Sequence, residues 1–330
     1  MSAEQTIKWG ILGPGWIAGQ FTRDLKHAKG AEAVAVGSRT KEKAEAFAKE
    51  HGIARAYGSY EELVQDAEVD IIYVATPHPA HKDSVMTCLR AGKAVLCEKP
   101  FTVNAAEAEE LVQYARERKL FLMEAMWTRY LPAIRKVQEW LAQGKIGEVR
   151  MMKADFGFRM GWDPKHRLLN PDLAGGALLD VGIYPISFAS MVFGGAPEQV
   201  FASGYLGETG VDEQFSLIFT YSGGRTASMN GAVRVALDND CTIYGTEGKI
   251  VISEFFVAKS VTLQVYGSAD EKFEYKGEAR GFAFEAEEAG RCLREGRLES
   301  VTMPLDETLE LMRTMDMIRA QWGLKYPFEK

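Results

Sequence analysis

Lys99 ends the apolar run AVLCEKP and is followed at once by Pro100. An ammonium there costs desolvation free energy unless something anionic pairs with it. The residue is therefore a candidate catalytic cation, although a lysine at a strand end can also simply face water. An X-Pro bond is also a place where a backbone can be held in an unusual turn. Far upstream, GILGPGWIA sets Gly13, Gly15 and Ala18 at GxGxxA spacing. Small residues in that pattern allow a tight turn, a close backbone approach to a pyrophosphate, and close packing of helix on strand. A helix starting there offers unpaired amides and partial positive charge to phosphates. The motif follows one strand pattern and opens one helix pattern, so dinucleotide binding is expected, with Trp16 and Ile17 completing the loop.

The end of the second strand should choose the dinucleotide. An NAD site usually has Asp or Glu there for the ribose 2′-hydroxyl. This chain has Gly37-Ser38-Arg39-Thr40, with Lys43 one turn on. A hydroxyl, a guanidinium and a lysine suit a 2′-phosphate, so NADP is expected, with NAD possible. Arg39 could also only stack on adenine or face solvent.

Regular elements must carry these loops. Apolar runs at Ile7–Leu12, Ala33–Gly37, Asp70–Ala75, Ala94–Cys97 and Leu120–Glu124 alternate with helical patterns at Trp16–Ala28, around Ala44–Ala48, Ser59–Asp66, Ala80–Ala91 and Asn104–Lys119. Thr40 reads as the N-cap of the second helix. Runs that are apolar throughout, with helices between them, predict a parallel sheet covered on both faces. After residue 125 the pattern changes to a helix at Tyr130–Gln143, then strands from Glu148–Phe158 to Val261–Val265, with Ser222-Gly223-Gly224 and Thr246-Glu247-Gly248 as hairpin turns. A helix at Gly176–Phe193 interrupts them, and helices at Phe284–Glu295 and Leu305–Trp322 follow. The expected class is α/β: an N-terminal doubly wound Rossmann-type domain over 1–124, and an α+β domain with an open, mostly antiparallel sheet over 125–330. The helix 305–322 is expected to dock, with the first domain as one place for it.

Composition narrows the function. Hydrophobic residues make up 46% of 330, enough for full cores, and the net charge of −7 argues against a nucleic-acid surface. No uninterrupted apolar run approaches the roughly 20 residues of a membrane span. The opening MSAEQTIKWG lacks a signal-peptide pattern. Cys88, Cys97, Cys241 and Cys292 form no CxxC pair and read as reduced thiols of a cytoplasmic protein.

Taken together, GILGPGWIA, SRTKEKAEAFA, ATPHPAHKD, AVLCEKP, LFLMEAMWTRY, GGALLDVGIYPI, MVFGG, GETGVDEQ and YGTEGKI resemble the family of glucose–fructose oxidoreductase and inositol 2-dehydrogenase, most of all its dimeric dihydrodiol dehydrogenase branch, also described as NADP-dependent D-xylose 1-dehydrogenase. The likeness runs nearly the whole chain in order. It implies a dehydrogenase of sugars or vicinal diols, and a homodimer through the C-terminal sheet. It implies that Lys99 is catalytic and that Tyr184 is the general acid–base, a position held by histidine in the inositol enzymes. The lysine cation would favour the phenolate and stabilise a developing alkoxide. Asp180, four residues earlier on the same expected helix face, would meet the same substrate. Trp127, Thr128 and Arg129 map near the nicotinamide, and Glu98 lies with Lys99 in the same motif.

Thr76, Pro77 and His81 lie in a loop that lines the cofactor, unless His81 caps the next helix. His78 and His81 lack companions for a metal, and none is expected. The loop GWDPKHRLLNP borders the substrate, with Phe158, Arg159, Trp162 and Arg167 as candidates to hold it. Cys97 reads as a buried thiol rather than a nucleophile. The alternative to an enzyme is a non-catalytic regulator that retains the nucleotide site.

Overall fold

A computed structural model describes residues 5–329. The first strand, β1 (Ile7–Leu12), is apolar and almost wholly buried, as a central parallel strand must be. It leads into α1 (Trp16–Leu25), β2 (Ala31–Gly37), α2 (Lys41–His51), β3 (Arg55–Tyr57), α3 (Tyr60–Val64), β4 (Ile71–Val74), α4 (His81–Arg90), β5 (Ala94–Glu98), α5 (Ala105–Arg118) and β6 (Leu122–Ala125). Among the described residues the strands form a six-stranded sheet in the order β3-β2-β1-β4-β5-β6, every pair parallel. The order reverses between β1 and β4, and in such sheets ligands bind at that reversal, outside the carboxyl ends of the strands. The loops after β1, β4 and β5 share that edge.

Beyond β6 come α6 (Pro132–Ala142), β7 (Val149–Gly157), a π-turn at Leu178–Gly182 and α7 (Ile183–Phe193). Then follow β8 (Gln199–Leu206), β9 (Asp212–Tyr221), β10 (Arg225–Ala232), β11 (Cys241–Gly245), β12 (Gly248–Ile252), β13 (Ser260–Val265) and β14 (Glu271–Glu274). They build an eight-stranded sheet in the order β14-β13-β12-β11-β7-β10-β9-β8, antiparallel except for the β7–β10 pair. Its inner face carries Met152, Ala154, Leu217, Phe219, Met229 and Ile243, all buried. The helices α8 (Phe282–Arg294) and α9 (Leu305–Trp322) close the chain.

The chain divides into two units: residues up to Tyr130 with Glu278–Leu309, and Leu131–Gly277 with Glu310 onward. This differs from a single boundary at 124/125. The chain returns to the first unit with α8, whose N-terminus is tied to Asp24 of α1: Asp24 accepts from the amides of Arg280, Gly281 and Ala283 at 2.8, 3.0 and 2.9 Å. Only the first residues of α9, Leu305–Leu309, belong to that unit.

Other differences are local. The sequence reading left out β3 and β14, one three residues long and the other the charged EKFE, because neither has an apolar run to mark it. Thr40 does occupy the N-cap of α2 but its side chain makes no capping bond. The expected continuous helix at 176–193 begins with the π-turn, so Asp180 and Tyr184 are not an ordinary α-helical i,i+4 pair. The segment Pro171–Phe193 is long and apolar enough to span a bilayer by composition, yet its most apolar window is 89% buried within the protein.

Candidate active site

In the first unit the glycine loop has the geometry a pyrophosphate needs. Gly13 has φ +88°, and a Cβ on it would lie 3.1–3.2 Å from Thr76 and the Ala75 backbone. The loop thus presses against the end of β4, closed by Gly13 N–H to Gly37 O at 3.1 Å. Gly15 caps α1 without a side-chain bond, and a Cβ there would meet nothing within 4 Å. Open space in front of uncapped helix amides suits a phosphate. Ala18 is fully buried, as close helix–strand packing requires, while Trp16 is 76% exposed beside the loop and Ile17 half-buried. At the end of β2, Ser38 is buried and Arg39 and Lys43 are exposed, with no carboxylate at the turn. These residues fit a dinucleotide.

The lysine loop is braced from below. The Tyr73 hydroxyl donates to Glu98 Oε1, and Glu98 Oε2 accepts the amide of Lys99 at 3.0 Å. Lys99 is half-buried and its bond to Pro100 is cis. His81 is fully buried and its ring bridges two loops, Nδ1 to Pro100 O at 2.9 Å and Nε2 to Thr76 O at 2.8 Å. The ring lies between two backbone carbonyls and, as a neutral imidazole, donates to one of them, which makes it a brace between the two loops. Burial holds its pKa below the ordinary histidine value. Thr76 is also buried, its hydroxyl 3.3 Å from that of Ser84. Pro77 caps the short turn His78–Ala80 ahead of α4. The Cys97 thiol is pushed well up by burial and then by Glu98 and Glu124, consistent with an inert thiol.

Trp127 stacks on Phe282, ring centres 4.7 Å apart and planes 2° from parallel. Phe282 meets Phe21 edge-on at 6.3 Å, and Phe21 stacks on Tyr73 at 3.8 Å. An aromatic chain therefore links Trp127 to the tyrosine that holds Glu98. Sequence reading missed Phe282, which lies just before the helix it expected at Phe284. Arg129, expected near the nicotinamide, is buried and bound to Glu307 at 2.5 Å and to Thr302 O at 3.4 Å.

In the second unit Tyr184 is buried on the first turn of α7, edge-on to Phe156 at 5.2 Å and to Phe256 at 6.1 Å. Phe156 and Phe256 stack at 4.0 Å. Asp180, also buried, takes both guanidinium nitrogens of Arg167, at 2.9 and 3.4 Å. Phe158 is half-buried and Arg159 exposed where the chain leaves β7. There the guanidinium of Arg234 lies 5.5 Å over the Trp162 ring and donates to Met160 O at 2.7 Å. Arg234 carried no sequence signal, since nothing local marks a charge after β10 as part of a loop cluster. Among the described residues no group of three His, Cys, Asp or Glu is placed to hold a metal.

The chain matches two family profiles: the oxidoreductase family with NAD-binding Rossmann fold over residues 7–126, and the GFO/IDH/MocA C-terminal domain over residues 134–251. It is 40% identical over 332 residues to trans-1,2-dihydrobenzene-1,2-diol dehydrogenase of Xenopus tropicalis, covering 97% of this chain and 99% of that one. A crystal structure of aldose-aldose oxidoreductase from Caulobacter crescentus complexed with glycerol superposes with a TM-score of 0.88 at 25% identity, covering 97% and 98% of the two chains. A 3-ketoreductase from Actinomadura kijaniata in complex with NADP and TDP-benzene gives 0.83 at 27% identity, covering 96% and 98%.

Proposed function

This chain belongs to the GFO/IDH/MocA oxidoreductase family, in its dihydrodiol dehydrogenase branch, and from that premise we propose that it transfers hydride between NADP and a carbinol carbon of a trans-dihydrodiol-like vicinal diol or a sugar. It is a dehydrogenase acting on CH–OH groups. NADP, when bound, supplies the ring that accepts or gives the hydride. The chain's residues hold it and manage the proton. Gly13, Gly15 and the start of α1 hold the pyrophosphate; Ser38, Arg39 and Lys43 take the 2′-phosphate, a choice supported by the missing carboxylate after β2. Tyr184 takes the hydroxyl proton during oxidation and returns it during reduction. Lys99 stabilises the developing alkoxide with its positive charge.

One observation carries this reading. Lys99 leaves the carboxyl end of β5, on the sheet edge shared by the glycine loop after β1, and Glu98 beneath it is fixed by Tyr73 and by the Lys99 amide. A lysine so placed at the nucleotide edge of a doubly wound sheet is suited to the reacting centre. We also propose a homodimer, with a second copy on the outer face of the eight-stranded sheet. That face exposes Met151, Phe201, Ile218 and Tyr244, with Phe201 paired to Ile218 in register. Four buried cysteines, without a disulfide, suit the cytoplasm.

The experiment is a turnover assay with NADP and NAD in parallel against trans-dihydrodiols and aldoses, repeated for Lys99→Met and Tyr184→Phe. Each substitution should lower kcat by at least ~100-fold while NADPH still binds. Near-normal turnover in Tyr184→Phe removes it from the chemistry. An absence of NADPH formation with every substrate favours the regulator reading instead.

A further inference from the structure

Two buried groups from distant parts of the chain hold the same short stretch of backbone. Asp212, the first residue of β9 and fully buried, accepts the amide of Leu178 on Oδ2 at 2.6 Å. Gly176 has φ +123°, and a Cβ there would lie 2.1 Å from Asp212 Oδ1. The carboxyl group thus occupies the space a side chain would need, and only glycine allows the approach. Tyr326, beyond α9 and also buried, donates its hydroxyl to Gly175 O at 2.7 Å. It is itself locked: its amide donates to Glu329 at 2.9 Å, Glu329 takes both Nη groups of Arg319 at 2.7 and 2.9 Å, and the Arg319 guanidinium lies 5.1 Å over the Tyr326 ring.

The stretch held in this way, Gly175–Leu178, is the entry to the π-turn Leu178–Gly182, which carries Asp180 and is followed by Tyr184 as the second residue of α7. A π-turn holds one residue more than the α-helix it interrupts, and persists where its surroundings over-determine it. Relaxed to α-helix, it would turn the residues before the extra one by about 100° relative to those after it. Asp180, inside the π-turn, and Tyr184, after it, would then change direction relative to each other. α7 is buried from Ile183 to Ser190, so its entry is where such a change can begin.

We propose that Asp212 and Tyr326 are positioning residues which keep the π-turn in register and so set the direction of Asp180 and Tyr184 without touching substrate. This rests on the reading of Tyr184 as the acid–base group. The test uses full-length Tyr326→Phe, Asp212→Ala and Asp212→Asn, with steady-state kinetics, NADPH titration and amide hydrogen exchange. Tyr326→Phe and Asp212→Ala should lower kcat at least tenfold, with the KM for NADP and the NADPH dissociation constant within twofold of the parent. Exchange over residues 175–184 should rise, with that of β9 and β10 unchanged. Asp212→Asn, which keeps an acceptor for Leu178, should recover at least half of the turnover. Parental kcat and parental exchange in Tyr326→Phe overturn the proposal, as does an Asp212→Asn as damaged as Asp212→Ala. Should Tyr184→Phe itself turn over normally, the acid–base reading fails, and the exchange over 175–184 still decides whether the clamp exists.

Discussion

Arg167 grips Asp180 with both guanidinium nitrogens, Nη1 to Oδ1 at 2.9 Å and Nη2 to Oδ2 at 3.4 Å. The arginine is half in solvent while the carboxylate is buried, so the pair joins a surface loop to the interior beside Tyr184. Forked pairing fixes direction as well as charge. Arg167→Ala should lower kcat/KM for the diol or sugar by roughly 10- to 100-fold, in line with loss of one charge-assisted pair, and leave NADPH binding unchanged. Arg167→Lys should recover little, because an ammonium cannot reproduce the fork. Full activity in Arg167→Ala would show that Asp180 needs no such partner.

The stack of Trp127 on Phe282 predicts a structural and an optical effect together. Phe282→Ala removes a buried ring and should cost about 3–5 kcal/mol in urea unfolding. Trp127 should become wetter, shifting tryptophan emission to longer wavelength. An unchanged emission maximum would mean that Phe282 does not screen the indole.

Arg39 and Lys43 stand exposed after β2, and no Asp or Glu lies in the turn Gly37-Ser38-Arg39-Thr40. Arg39→Ala should raise the KM for NADP by at least about tenfold and that for NAD by less than about twofold, the difference expected from one phosphate contact. Equal effects on both cofactors would refute the 2′-phosphate assignment.

Glu124 is fully buried; burial pushes its carboxyl up to about 7, against the opposing hydrogen bond from the Thr308 hydroxyl at 2.8 Å. Burial likewise pushes Asp212 up to about 7. A carboxyl raised on folding leaves the native state holding more protons than the unfolded one. Its contribution to stability is therefore complete below about pH 4 and is lost as the pH rises toward 7. Stability of the parent relative to Glu124→Gln should fall between pH 5 and pH 8, measured by urea unfolding at each pH. A relative gain over that interval would reverse the assignment.

Much of the frame could be read along the chain. The strands of the parallel sheet announce themselves as short apolar runs because both their faces are covered, and Gly13, hard against Ala75 and Thr76, and the buried Ala18 mark a turn that larger residues would block. The hairpin turn at Ser222-Gly223-Gly224 was legible because Gly223 and Gly224 have positive φ, a local demand, whereas Gly248 in the other hairpin is required by the close approach of Gln264 and Val265 on β13. β3 and β14 were not, because an edge strand is defined by its neighbour rather than by its own composition.

The sequence by itself determined the residue types of the chemistry: Lys99 before proline, a tyrosine at 184, and a second strand ending without a carboxylate. Only the tertiary structure decided their settings. It brought α8 back to lay Phe282 on Trp127, tied Arg129 to Glu307, made His81 a brace between two loops, and set Tyr326 on Gly175 from 151 positions away. Periodicity and turn chemistry act over a few neighbouring residues and are visible in one dimension. Which buried donor finds which acceptor depends on packing that joins distant segments, and no local pattern encodes it.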